Sequence, residues 1–107
     1  MFTLIYRWRV HPGRERQFVD AWLRMTEIIR EREGSLGSRL HIAEDGLYVA
    51  YAQWPSYEAW EASDDIEPTE ETVHLRRVIS DSAVRLKPDL RMEVIHDLLV
   101  PSLVAGP

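Results

Sequence analysis

An α+β fold, four antiparallel strands and packed helices in the order βαββαβ, is what this sequence predicts, and three observations carry it. Tyr6, Trp8 and Val10 alternate with Arg7 and Arg9 before His11-Pro12-Gly13, a strand with a defined stop. Phe18, Trp22, Met25 and Ile29 then recur at helical spacing, one buried stripe broadened by Ala21 and Ile28. Two further apolar runs flank Asp45-Gly46, a pair that tolerates the positive φ angles of a tight hairpin turn.

Taken in order, the first strand covers Phe2 to Val10. Pro12, which lacks an N–H, suits the first turn of a helix running from Gly13 to Glu33, and Gly34 is its stop. Leu36 to Glu44 and Leu47 to Trp54 form the hairpin. A two-residue loop there sets Leu40 opposite Tyr51, and it puts His41 beside Ala50 and Arg39 beside Ala52. Ser56 caps a short helix from Tyr57 to Ala62, and an acidic connector, Ser63 to Pro68, follows. A third helix is expected over Thr69 to Leu86, broken by Lys87-Pro88-Asp89, and a last strand over Leu90 to Val100. The chain of 107 residues thus reads as one domain over 1–100 with a tail over 101–107.

Composition narrows the function. With no cysteine, disulfides, thiolate nucleophiles, Cys-zinc sites and iron–sulfur clusters are excluded. A formal net charge of -5 argues against a nucleic-acid partner. No run approaches the ~20 apolar residues that cross a bilayer, and the start of the chain lacks an apolar signal core, so a cytoplasmic protein without a membrane partner is expected. The four histidines show no HxH or HExxH spacing, and no metal is expected. The acidic run from Glu58 to Glu71 also lacks ligand spacing and reads as a solvated lid or linker.

Two helices cover only one face of a four-stranded ferredoxin-like sheet. Here the hairpin is apolar or aromatic at both parities, and the last run carries Ile95 and Leu99 opposite Val94 and Leu98. The uncovered face therefore needs a second cover, and a symmetric homodimer supplies it most simply, the alternative being that the long connector or the tail covers it.

Tyr6-Arg7-Trp8-Arg9-Val10-His11-Pro12-Gly13, Gly34-Ser35-Leu36-Gly37 and Tyr51-Ala52-Gln53-Trp54-Pro55-Ser56-Tyr57-Glu58-Ala59-Trp60 together resemble the antibiotic biosynthesis monooxygenase (ABM) domain family. The resemblance implies a dimeric α+β barrel. It also implies a monooxygenase-like activity, independent of any cofactor, on a small aromatic, quinol-type or polyketide substrate in a pocket between sheet and helices. The alternative is a non-catalytic dimeric module that binds haem or a hydrophobic metabolite. Two branches of the family use a pocket asparagine, and this chain has none. Arg7 or Tyr6 stands about where the first-strand asparagine of the haem degraders would be, and His74 roughly where their axial ligand lies.

From the residues themselves, Arg39 and His41 set among Gly37, Ala50 and Ala52 outline a concavity with convergent polar groups. His41 is the expected general base toward a phenolic proton, and Arg39 the partner of the developing oxyanion. In the blander reading, both reach solvent at the sheet edge and the alanines merely let helices sit close. Trp60 is placed at a pocket mouth, with packing as its alternative. Arg7, Tyr51, Trp60 and His74 complete the expected substrate contacts; for His74 a solvent-facing or capping role is the alternative.

Overall fold

The computed structural model describes residues 1–100; the tail expected over 101–107 lies outside the described residues. Strand β1 (Phe2–Val10) leads through the His11-Pro12-Gly13 turn into helix α1 (Glu15–Glu33). Strands β2 (Gly37–Ile42) and β3 (Tyr48–Trp54), short helix α2 (Tyr57–Ala62), helix α3 (Glu70–Ser82) and strand β4 (Ala83–Glu93) follow. The sheet runs β2-β3-β1-β4 with every neighbouring pair antiparallel. This is the predicted ferredoxin-like α+β architecture.

The period-two pattern of β1 decides which face is covered. Phe2, Leu4 and Trp8 are buried beneath the helices, and Phe18, Ala21, Trp22, Met25 and Ile28 of α1 come down onto that side. Gly34 ends α1 at φ 82°, a left-handed conformation that a side chain with a Cβ resists. Ser56 and Thr69 cap α2 and α3, each accepting a hydrogen bond from a backbone N–H of the first turn. Among the described residues, no helix is long and apolar enough to cross a membrane.

Two expectations are corrected. The hairpin loop has three residues, Glu44-Asp45-Gly46, closed by Ala43 N–H donating to the Leu47 carbonyl at 2.7 Å. Asp45 and Gly46 do take positive φ angles, 67° and 72°. The extra residue nevertheless slips the register by one, so Leu40 faces Ala50, Ser38 faces Ala52, His41 faces Val49 and Arg39 faces Tyr51. The physical reason lies in the faces. The expected register would set Arg39 and His41 under the helices, where a charged side chain is costly to bury, whereas the observed one puts Leu40 and Ser38 there.

The second correction concerns α3 and β4. The helix ends at Ser82, and Ala83 is already extended and paired with Val10. Ser82 is fully buried: its hydroxyl donates to the Val78 carbonyl at 2.6 Å and accepts from Gln17 Nε2 at 2.8 Å. A serine bonding back one turn competes with the helix, and here the chain leaves it. Lys87-Pro88-Asp89 breaks no helix. The three residues bulge from β4 opposite the single residue Tyr6, between the pairs Ile5–Leu90 and Arg7–Leu86. Proline is tolerated there because β4 is an edge strand. Val94 to Val100, expected in the last strand, lie beyond it; Val94 N–H still donates to the Met1 carbonyl at 3.0 Å.

The open side of the sheet is thus built from Ile5, Val49, Tyr51, Leu86, Leu90 and Met92 rather than from Ile95 and Leu99. Arg7, Arg39 and His41 share this face with those apolar side chains. Val94, Leu98 and Leu99 lie beside its Tyr51–Gln53 end, and among the described residues no helix covers it.

Candidate functional site

Two packed clusters stand on the helix side of the sheet. One gathers Trp8, Phe18, Trp22, Ala50 and Ala83; the other gathers Phe2, Leu4, Ala52 and Trp54. Where they meet, β3 and β2 offer only Ala52 and Ser38 as floor, and the side chains of α1 and α3 do not reach down to fill the gap. A cavity of about 440 Å³ results. That volume falls among those of small-molecule sites.

Its walls are mostly aromatic and aliphatic: Tyr6 and Trp8 from β1, Trp54 from β3, Trp22, Met25 and Ile29 from α1, and Ile79 from α3. The polar groups divide by what they already do. Ser38 donates to the Tyr51 carbonyl at 3.0 Å, and the Ser35 hydroxyl accepts from Gly37 N–H at 2.9 Å, so both serines serve the backbone. Arg76 of α3 and Arg85 of β4 bring positive charge to the lining. Arg85 is gripped by Asp89 of the bulge, Nε donating to Oδ1 at 3.3 Å and Nη2 to Oδ2, while its guanidinium carbon lies 4.9 Å from the centre of the Tyr6 ring. Burial pushes the Tyr6 phenol up, against the pull of Arg85, which leaves it a protonated donor at neutral pH. At the end of α1, partial burial raises the Glu33 carboxyl, with Arg76 acting in the opposite direction.

The residues singled out from the sequence are divided between the two sides of the sheet. Arg39 and His41 are exposed on the open side, where His41 donates from Nδ1 to the Val49 carbonyl at 3.1 Å. They do not meet Ala50 and Ala52, whose side chains point the other way. Arg7 shares the open side and donates to the Pro88 carbonyl at 3.2 Å. Tyr51 is there too, half-buried between Ile5 and Arg39. Trp60 lies on the helix side, its ring centre 5.3 Å from that of Phe2 and 5.0 Å from the Arg91 guanidinium carbon. It packs near the cavity without lining it. His74 is exposed on α3. Among the described residues, no group of three or more histidines, aspartates or glutamates is placed to hold a metal ion.

Sequence reasoning took Trp22 as core, which it also is, and did not single out Arg76 or Arg85. A signal existed for both. Arg76, Ile79, Ser80 and Ala83 fall at i, i+3, i+4, i+7, one stripe of α3 and its exit, and Arg85 follows Ala83 at strand parity. The signal was hidden because the helix was extended through Arg85.

Comparison with known proteins agrees with this fold. The antibiotic biosynthesis monooxygenase family matches residues 1–73. Among solved structures, the chain is similar to SnoaB, a cofactor-independent oxygenase from Streptomyces nogalater, at 16% identity and TM-score 0.72, over 91% of this chain and 95% of that one. Rv0793 from Mycobacterium tuberculosis is similar at 14% identity and TM-score 0.70, over 92% and 98% of the two chains. A conserved protein from Methanosarcina mazei Go1 is similar at 9% identity and TM-score 0.67, over 85% and 89%. At these identities the likeness speaks to the fold. No curated protein matches the chain at a significant level.

Proposed function

The chain belongs to the antibiotic biosynthesis monooxygenase family, and from that premise we propose that it is a cofactor-independent oxygenase of a planar aromatic, quinol-type or polyketide-like molecule held between sheet and helices. The observation that carries this reading is the cavity, which joins flat aromatic walls to two arginines at a volume of about 440 Å³. Aromatic walls favour a flat ligand, and fixed cations stabilise negative charge as it develops. SnoaB, a fold neighbour, is itself a cofactor-independent oxygenase, which adds support from outside the chain.

In such a reaction the ligand supplies all four electrons that dioxygen takes up. An activated CH2 between aromatic rings loses a proton, and the resulting anion reduces dioxygen. One oxygen atom becomes a carbonyl and the other leaves as water, so CH2 and O2 give C=O and H2O. The protein's part is to bind the ring system, exclude water and offer Tyr6, Arg76 and Arg85 to its oxygens.

Oxygen uptake with 1,8-dihydroxyanthrone tests the proposal, followed together with the absorbance of the anthraquinone product. Uptake above the rate in buffer, one O2 per quinone, is the expected result. Tryptophan quenching without uptake would leave the alternative, a binding module for haem or another hydrophobic molecule. Neither quenching nor uptake would remove the reading.

A homodimer across the open side belongs to the same proposal. Ile5, Val49, Leu86, Leu90 and Met92 come from three strands of one face, and Leu90 is 49% exposed. A second copy meeting this face about a two-fold axis would cover it. Sedimentation at micromolar concentration should give the dimer mass, and Leu90→Glu should shift it to monomer. A monomeric parent would defeat the idea. Arg7, Arg39, His41 and Tyr51 share that open face, which favours a second reading in which the chemistry sits there, His41 as base and Arg39 as oxyanion partner. Uptake lost in His41→Ala but retained in Arg85→Gln would move the site to that side.

A further inference from the structure

The charges around the cavity are one-sided. Arg76 and Arg85 line it, and among the described residues no aspartate, glutamate or histidine does. The groups that face it can be taken element by element. From β1 there is the protonated Tyr6 phenol, and from β4 Arg85 with Asp89 on its outer edge. Arg91 adds positive charge near Tyr6. From α3 there is Arg76, with Glu33 of α1 near it and Arg32 and Asp64 beyond. The parts of β2, β3 and α1 that line the cavity contribute serine, threonine, alanine, methionine, isoleucine and tryptophan, none of which titrates near neutrality. The two cations are not equivalent. Asp89 engages Nε and Nη2 of Arg85, and among the described residues Nη1 has no hydrogen-bond partner. Arg76 forms no ion pair within 4.0 Å among the described residues.

A site with this lining can hold a negative oxygen, but it has no base to make one. We infer that the cavity takes its aromatic ligand as an anion, a phenolate or enolate met by Arg76 and Arg85, and that it selects molecules acidic enough to ionise in solution rather than deprotonating them itself. The inference rests on the cavity being the ligand site and goes beyond it by naming the ionisation state. Bulk water takes the proton before or during entry. The guanidinium groups then hold the anion, because an opposite charge close by favours the ionised form. A neutral aromatic of the same size gains the stacking but not the charge.

Alizarin, a dihydroxyanthraquinone whose visible spectrum reports its ionisation, tests this against neutral 2-(hydroxymethyl)anthraquinone, with tryptophan quenching as the measure of binding. The bound dye should titrate at least about one pH unit below the free dye, equivalent to about tenfold tighter binding of the anion. Arg76→Gln, at an exposed position, should reduce the shift, and Arg76→Gln/Arg85→Gln should abolish it; Arg85→Lys should keep most of it. An unshifted or raised titration with both dyes bound would overturn the inference and leave the cavity as a neutral aromatic site. A lowered titration that survives the double variant would also overturn it, since the anion would then be held elsewhere. If neither dye binds, the inference falls together with the proposed function.

Discussion

Phe18→Ala should cost about 3–5 kcal/mol, the range for removing a buried aromatic ring without collapse of the site. Phe18 is 0% exposed on α1 and packs edge-on against Trp8 and Tyr48, with ring centres at 5.2 and 5.4 Å. Those partners sit on β1 and β3 and pair directly across the sheet, so one side chain pins the helix to both central strands. Their rings are large and fixed by the sheet, which limits how far they can move into the gap. A domain of this size holds about 5–15 kcal/mol in total. The loss is therefore a large part of the whole, and the thermal midpoint should fall by more than about 12 °C. Urea unfolding followed by tryptophan fluorescence measures it. A change under about 1 kcal/mol would mean that the neighbours close over the gap and that the α1–sheet contact is less rigid than its burial suggests.

The part of the fold that local pattern controls was legible in the sequence. β1, α1 with its Gly34 stop, the two hairpin strands and the capped α2 each announced themselves through periodicity or punctuation. What escaped depended on contacts distant in sequence. The length of the hairpin loop turned on one residue, Glu44, and the choice followed from which strand face the helices cover. The end of α3 turned on Ser82, whose hydroxyl reaches Gln17 of α1 and whose carbonyl accepts from His11 N–H at 2.8 Å. Ala83 and Leu86 continue the helical spacing of Leu75, Val78 and Ile79, and only pairing with β1 makes their segment a strand.

Both slips bear on the candidate site. The first set Arg39 and His41 beside Ala50 and Ala52, which lie on the other face of the sheet, and the second hid Arg85. The small residues that suggested a concavity, Ala50 and Ala52, were read correctly as small. What the sequence could not reveal was which polar groups share their side, because a one-residue slip exchanges the faces.

Those two alanines also separate cavity from core. Ala50 and Ala52 lie on the same side of β3, 1% and 8% exposed. Ala50 belongs to the cluster that Phe18 and Trp22 fill, so a larger side chain there would meet occupied space. Ala52 faces the cavity between Leu4 and Ser38, where a phenyl ring has room to enter. Because the added ring enters cavity space, Ala52→Phe should cost no more than the lower end of the about 1–3 kcal/mol of overpacking. It should weaken alizarin binding by at least about 100-fold, close to 2.8 kcal/mol, because the ring takes the volume the dye needs. The two readouts have to separate. Lost binding with an unchanged unfolding midpoint assigns the ligand to the helix side of the sheet. Unchanged binding, with the phenyl ring accommodated, would mean that the dye sits on the open side with Tyr51 and Arg39, and the arginine pair of the cavity would lose its proposed ligand.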